Sequence, residues 1–504
     1  MELFEQDIIE NPDLNLSLRK KTSFTGDVLR LVSGTAFAQA LMVLVVPFLT
    51  RLYAPEAFGV MALFGSITGI LIAVACMRYE LAIMLPETDT DAVNLLGVSL
   101  IFVLVISLLS LPIVFLGQKF FWRLLNGQNF TLFLFLIPFS VFIGGTFLAL
   151  NYWNSRTKHF SRLSLARVVG SATTVSIQLG AGGSGHTSGI NLIGASVAGQ
   201  AASTALLGWR IWRADRKLFL GSIRWGKMLT GLKRHRKFPL YSSWSALLNA
   251  ASLQLPVIML AVFFSPVIVG FYALGYRVLR VPVELIGNAV AQVFYQRASV
   301  AKAGGSLSPI VEKTFLRLIS LAVFPFFLIM IIGSDIFLVV FGQKWAEAGA
   351  YVQILAPWLF LVFLGSPIST LSTVIEKQEI GLLFNFSLII SRVASLLIGG
   401  FLGNIILALV LFSISGTCLW VGLCIYLLFK TGVKVKHVIN YLISQFLLSG
   451  LFILPVFFIK YVFGASSLLI LSVGSIAGIL FYLNFFLREE KIRKLAVNFI
   501  FKRK

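Results

Sequence analysis

Apolar runs separated by short polar segments recur along almost the whole chain. A run of about 20 residues is long enough to cross a bilayer as a helix, which rises 1.5 Å per residue. The pattern therefore predicts an all-α, polytopic integral membrane protein with fourteen transmembrane helices. The predicted spans are 27–50, 58–77, 92–116, 131–153, 163–182, 187–209, 240–263, 267–296, 314–341, 350–374, 381–401, 404–429, 438–459 and 466–487.

Lysine and arginine test this topology, because short cytoplasmic loops are enriched in them. Most of the 42 basic residues fall on one side of the predicted membrane when both termini are placed in the cytoplasm. The net charge of +22 is thus explained by topology and does not indicate nucleic-acid binding. We expect a polar N-terminal tail (1–26), a basic linker lying along anionic head groups (213–239) and a basic C-terminal tail (488–504), all cytoplasmic.

Short sequence patterns recur between the two halves of the chain. Pro55, Gly59, Ala62 and Leu63 match Pro266, Gly270, Ala273 and Leu274 at an offset of 211. Two further pairs match at an offset of 225, namely 117–120 with 342–345 and Arg167 with Arg392.

Six predicted spans separate the copies, so the repeats are parallel. We expect two six-helix lobes, 27–212 and 240–430, followed by helices 13 and 14 in 431–487. In transporters built this way, the substrate binds between the halves near the midplane and access alternates as the lobes move.

Span 8 carries a polar stripe formed by Arg277, Arg280, Glu284, Asn288 and Gln292, which share one helical face. A charge at membrane depth costs at least about 2.5 kcal/mol, so this face is expected to line a water-filled cavity. Alternatively, Arg280 and Glu284 are a structural pair that neutralises itself across one helical turn.

Other in-span arginines are candidates for the same cavity: Arg30, Arg167 and Arg392. The competing interpretation is that each extends to the interface or pairs with a neighbouring helix.

Arginine presents a planar fork of donors that matches phosphate oxygens, so the cavity is expected to bind an anion. The sequence has no phosphate-binding loop, and Cys76, Cys418 and Cys424 lack metal-ligand spacing. We therefore predict a non-enzymatic protein without a cofactor or metal. Coupling to H⁺ or Na⁺ is a hypothesis, with Glu284 as a possible proton carrier.

Four stretches resemble the bacterial lipopolysaccharide O-antigen translocases, which belong to the multidrug/oligosaccharidyl-lipid/polysaccharide (MOP) exporter superfamily. The resemblance runs in order from about residue 24 to 430. The stretches are GDVLRLVSGTAFAQALMVLVVPFLTRLYAPEAFGV, RYELAIMLPETDTDAVNLL, GFYALGYRVLRVPVELIGNAVAQVFYQRAS and FGQKWAEAGAYVQILAP.

The resemblance implies a flippase that moves undecaprenyl-pyrophosphate-linked oligosaccharide repeat units across the bacterial inner membrane, driven by an ion gradient. It implies two lobes around a cationic cavity, where Arg277, Arg280 and Arg30 would meet the pyrophosphate. A polysaccharide polymerase and a chain-length regulator are candidate partners; nucleic acid is not. The alternatives are a lipid II flippase, a multidrug exporter of the same superfamily and, less favoured, a membrane polysaccharide polymerase or ligase.

Overall fold

The computed structural model describes residues 37–116, 130–303, 305 and 307–488. This described part of the chain is helical and contains no strand. Two π-helical turns, Phe238–Ser242 and Val283–Gly287, and a 3-10 turn, Gln343–Trp345, stand between α-helical segments. The helices are α1 (Val46–Leu52), α2 (Pro55–Ala75), α3 (Tyr79–Ala82), α4 (Asp89–Leu116), α5 (Phe130–Arg156), α6 (Phe160–Gly183), α7 (Gly189–Ser222), α8 (Trp225–Arg234), α9 (Ser243–Phe263), α10 (Pro266–Pro282), α11 (Asn288–Ala303), α12 (Leu307–Phe341), α13 (Ala346–Ile368), α14 (Leu371–Val374), α15 (Gln378–Phe401), α16 (Ile405–Lys430), α17 (Val435–Tyr461) and α18 (Ser467–Arg488).

The predicted class, an all-α polytopic membrane protein, is confirmed. Among the described residues, 11 helices are long and apolar enough to span a bilayer, so the count of fourteen is not confirmed. The first predicted span begins outside the described residues, and its described part is the shorter helix Phe37–Leu52. The fifth forms α6 but is too rich in glycine, serine and threonine to qualify, and a π-helical turn interrupts the eighth.

The chain folds into two compact units. Unit 1 contains Phe64–Gln254 and the described residues up to Leu52. Unit 2 contains Leu255 onward together with the short segment Tyr53–Leu63, which includes the first turns of α2. The polar tail 1–26, Arg30 and residues 117–120 of the second echo lie outside the described residues, as do 489–504 of the C-terminal tail.

Unit 1 is held together by helices that approach through small residues. A Cβ added to Gly199 of α7 would lie 1.9 Å from the Thr174 hydroxyl oxygen and 2.5 Å from the Gly170 carbonyl oxygen of α6. Only glycine permits that distance, and close backbone approach is how membrane helices gain packing energy in lipid. The predicted linker 213–239 is helical for most of its length. Asn94 fixes its middle by donating to the Ser222 carbonyl (2.9 Å) and accepting from the Arg224 amide (2.9 Å).

Unit 2 is built around α13, the most enclosed of the candidate spans. Its Gly349 lies so near α12 that an added Cβ would be 2.5 Å from the Gly333 carbonyl oxygen. The last two helices, α17 and α18, pack against α12 through an apolar cluster that includes Phe324, Ile453 and Phe481. They therefore extend the core of unit 2.

The residues of the first sequence echo face one another inside unit 2. A Cβ on Gly59 would lie 1.8 Å from the Pro266 carbonyl oxygen, and a Cβ on Gly270 would lie 2.0 Å from that of Pro55. The two contacts are reciprocal, since each glycine lies against the carbonyl group of the other segment's proline. The matching Pro–Gly spacing thus has a physical cause: proline opens each helix and glycine, one turn later, admits the partner's backbone.

Candidate site in unit 2

The site begins with the way α10 starts and with the face it presents. The hydroxyl of Ser265 accepts a hydrogen bond from the Ile268 amide (3.5 Å), which caps the helix. Tyr272, Tyr276 and Arg280 follow at intervals of four residues, so they share one face. The two tyrosine rings stack with centroids 5.7 Å apart and planes at 5°.

A second helix extends this stack. Trp358 of α13 lies nearly parallel to Tyr276, with centroids 6.0 Å apart and planes at 7°. Arg280 donates to the Tyr276 hydroxyl (3.0 Å), and its guanidinium lies 5.5 Å from the ring centroid. The two neighbouring rings restrict the rotation of this phenol, which in turn restrains the guanidinium that donates to it.

Arg392 lies at the other end of the stack. Its guanidinium is 5.8 Å from the Trp358 ring and 5.9 Å from the ring of Phe412 on α16. Guanidinium groups interact favourably with aromatic faces, and more strongly where water is excluded. We call Tyr272, Tyr276, Arg280, Trp358, Arg392 and Phe412 the arginine–aromatic cluster.

Glu284 pairs with Arg280 across one turn, with 2.9 Å between Arg280 Nε and the carboxylate oxygen. Both side chains are partly exposed, at 37% for Arg280 and 48% for Glu284. Glu284 belongs to the π-helical turn that follows Pro282, where a regular helix would require the amide that proline lacks. The turn shifts the register between the two halves of the predicted stripe.

The stripe itself is less clear than its sequence pattern. Gln292 is exposed, and the side chain of Asn288 lies outside the described residues. Val293 (52%) and Ile286 (38%) are exposed as well, so this part of the helix is open on apolar sides too.

The predicted arginines fall into different places. Arg277, Arg280 and Arg392 lie in unit 2, and Arg280 and Arg392 are near enough to interact electrostatically. Arg277 is half-buried and interacts electrostatically with Glu284. Arg167 lies on α6 of unit 1, and Arg30 lies outside the described residues.

Sequence reasoning missed the aromatic side chains that hold the arginines. The four-residue spacing of Tyr272, Tyr276 and Arg280 was a usable signal, since it puts all three on one helical face. Trp358 and Phe412 gave no such signal, because only packing of α13 and α16 brings them there.

A second group that the sequence did not indicate is Glu80, in the short helix α3 of unit 1. Its side chain is fully buried, and Arg78 lies 3.4 Å away. Within the described part of the chain, neither carboxylate oxygen has a hydrogen-bond partner. Burial raises the pKa of Glu80 above its ordinary value, although its own backbone amide and Arg78 act in the opposite direction. The backbone here is strained, since Met77 (φ 49°) and Arg78 (φ 62°) are both left-handed.

The arginine–aromatic cluster is suited to binding a ligand. Two guanidinium groups held by aromatic rings present donors that suit phosphate oxygens. Among the described residues, no group of three or more His, Cys, Asp and Glu side chains could hold a metal ion.

Comparison with known proteins identifies the family of this chain. A sequence model for polysaccharide biosynthesis proteins matches residues 48–350, which is more than half of the chain. The chain belongs to that family. The teichuronic acid biosynthesis protein TuaB of Bacillus subtilis (strain 168) is 26% identical over 160 residues. That match spans 31% of each of the two chains.

Two solved structures share the fold of this polysaccharide biosynthesis protein. One is the lipid II flippase MurJ in an inward closed conformation, with a TM-score of 0.62 and 14% identity over 90% of this chain and 98% of that one. The other is an inward-facing MATE multidrug resistance transporter of the MOP superfamily, with a TM-score of 0.62 and 16% identity over 78% and 94%. At these identities the likeness is one of fold: one of the two proteins is a lipid II flippase and the other is a multidrug transporter.

Proposed function

We propose that this protein is a flippase that carries undecaprenyl-pyrophosphate-linked oligosaccharide repeat units, of O-antigen or a related surface polysaccharide, across the cytoplasmic membrane. Membership of the polysaccharide biosynthesis family supports a saccharide cargo, and the transporter fold supports movement by alternating access. The observation that carries the proposal is the arginine–aromatic cluster, a fixed cationic site within a membrane-spanning unit.

The pyrophosphate group is the part of this cargo that most needs the protein. It is anionic at neutral pH, and moving it through hydrocarbon without counter-charge is costly. Arg280 and Arg392 would hold it from two sides, and Arg277 would add a third guanidinium. The aromatic rings keep the arginines in place before the lipid arrives, which reduces the entropy lost on binding.

Arg30 and Arg167 belong to the proposal as further contacts of the same cargo on its path. The expected setting is the inner membrane with both termini in the cytoplasm. A polymerase and a chain-length regulator are the expected partners after translocation. Ion coupling through Glu284, with Gln292 and Asn288 of the predicted stripe, stays a prediction.

The test is the fate of the lipid-linked repeat unit in cells that lack the protein, complemented with variants. Without it, single units should accumulate on undecaprenyl pyrophosphate with their sugars inaccessible from the periplasm. Arg280→Ala and Arg392→Ala should restore translocation poorly, and Arg392→Lys should restore it only in part, because lysine keeps the charge and loses the fork.

Arg297→Ala is the matched control, since Arg297 is exposed on α11 and lies outside the cluster. It should restore translocation fully at equal protein abundance. If single units instead reach the surface without chain extension, the protein is a polymerase and the flippase proposal fails. If lipid II accumulates in place of repeat units, the fold serves the lipid II reaction instead.

A further inference from the structure

A cavity of about 560 Å³ lies in unit 2, away from the arginine–aromatic cluster. It is formed where α12 meets α17 and α18, the hairpin that follows the internal repeat. Its lining changes character from one end to the other. The lining residues that the argument uses are Lys313, Arg317, Tyr441, Gln445, Leu448 and Phe481.

One end of the cavity is basic. Lys313 and Arg317 stand four residues apart on α12, so their side chains project from the same face. The neighbouring acid, Glu312, is paired with His437 of α17, with 2.5 Å between the carboxylate oxygen and Nδ1. That contact joins α12 to α17 beside the two basic side chains.

The middle of the cavity is polar and partly unsatisfied. The hydroxyl groups of Tyr441 and Ser320 are hydrogen-bonded at 2.6 Å and tie α17 to α12. The side-chain oxygen of Gln445 is buried and has no hydrogen-bond partner among the residues that the structure describes. A buried acceptor of this kind costs free energy unless a ligand donor or water reaches it.

The far end is apolar. Leu448 and Phe481 line it, and Phe481 stacks on Phe324 with ring centroids 4.8 Å apart, whereas Leu316 and Phe485 lie nearer the basic end. The site therefore has the polarity gradient of an amphiphile: cations first, then hydroxyl and amide groups, then hydrocarbon. Lys313 lies six residues into α12, about 9 Å along the helix, which is the depth of lipid head groups if α12 begins at the membrane surface.

We propose that this cavity binds one anionic phospholipid from the leaflet at the start of α12, which the charge distribution predicts to be cytoplasmic. The lipid phosphate lies on Lys313 and Arg317, and an acyl chain enters between Leu448 and Phe481. The lipid fills the joint between α12 and the C-terminal hairpin and so acts as a structural ligand of unit 2. This site is independent of the proposed cargo site, because none of its residues belongs to the arginine–aromatic cluster.

The experiment is native mass spectrometry of the full-length protein, stripped of lipid in detergent and titrated with phosphatidylglycerol or phosphatidylcholine of identical acyl chains. We expect one phosphatidylglycerol to bind at least about tenfold more tightly than phosphatidylcholine, since each basic residue near a head group contributes about 1 kcal/mol. The double variant Lys313→Gln/Arg317→Gln should lose that preference. The control, Lys434→Gln/Lys436→Gln, makes the same charge change at the start of α17, outside the lining, and should keep it.

Three results would overturn the proposal. One is an unchanged preference in the Lys313/Arg317 double variant at an unchanged unfolding temperature. Another is the absence of any retained lipid in the wild type. The third is tighter binding of undecaprenyl pyrophosphate than of phosphatidylglycerol at this site, which would assign it to the cargo. Leu448→Trp, which fills the apolar end, should weaken both phospholipids and leaves the test valid if the double variant fails to fold.

Discussion

Substituting alanine for Gly270 tests the helix crossing that joins the starts of α2 and α10. The added Cβ would lie 2.0 Å from the Pro55 carbonyl oxygen and 2.8 Å from its carbon. Ordinary carbon–oxygen contacts between packed helices are about 3.3–3.6 Å, so the backbones must separate by roughly 1.3 Å. Neither clashing atom belongs to a side chain, so no rotamer change can relieve the contact.

The cost follows from what surrounds the crossing. Phe58, Phe271 and Trp345 are at most 5% exposed, and the Trp345 ring lies 4.9 Å from Phe58 and 6.0 Å from Phe271. Separating the backbones loosens these contacts, and overpacking of this kind costs about 1–3 kcal/mol. We expect Gly270→Ala to lower the unfolding temperature of the detergent-solubilised protein by several degrees.

Gly59→Ala should have a similar effect, because its Cβ meets the Pro266 carbonyl oxygen at 1.8 Å. The double variant should cost less than the sum, since one separation relieves both clashes. Gly65→Ala is the control: it lies in the same helix α2 with nothing within 4 Å of its added Cβ. Alanine favours helix there by up to about 1 kcal/mol. Equal unfolding temperatures for the Gly270 and Gly65 variants, or full additivity of Gly59 and Gly270, would refute the crossing.

Three further predictions concern charged side chains. Arg392→Ala should reduce translocation at least tenfold. Arg392→Met should leave the unfolding temperature near that of the wild type. An equal loss of folding in the two variants would mean that Arg392 has a structural role instead. Glu80→Gln should gain stability relative to the wild type as the pH rises above the ordinary pKa of glutamate. Burial raises the pKa of Glu80 in the folded state, so ionisation of the wild-type carboxyl lowers the free energy of unfolding by about 1.4 kcal/mol for each pH unit by which that pKa is raised. A difference in unfolding temperature that stays constant between pH 5 and 8 would contradict this. Asp335→Ala should destabilise unit 2 by about 3–5 kcal/mol, because Asp335 pairs with Lys460 at 2.8 Å and both side chains are largely buried. In thermal unfolding, the double variant Asp335→Ala/Lys460→Met should recover most of that loss.

Sequence reasoning reached furthest where a property is local. Hydropathy determined the helical membrane class, because each span must satisfy its own backbone in lipid whatever its neighbours are. It failed to fix the number of spans where a helix is only moderately apolar, as in α6, or broken, as after Pro282. Hydropathy averaged along the chain cannot distinguish a moderately apolar span that neighbouring helices cover from a helix that is interrupted.

The candidate site divides in the same way. Periodicity predicted that Arg277, Arg280 and Glu284 share one helical face, and the structure pairs Arg280 with Glu284 as the four-residue spacing allows. Which distant arginine joins them depended on how α10, α13 and α15 pack. Arg392 reaches the cluster through Trp358, whereas its repeat equivalent, Arg167, lies in the other unit.

The amino-acid sequence by itself determined that this chain crosses a membrane many times, that its basic residues are asymmetrically distributed and that cations lie within its spans. Only the tertiary structure decided which cations share a site, that Glu80 is fully buried beside Arg78, and that an amphiphilic cavity lies under the last two helices. The physical reason is that burial and contact between helices depend on which faces of distant segments meet. That choice is made by steric fit between side chains far apart in sequence, as at Gly59 and Gly270, and not by the composition of either segment alone.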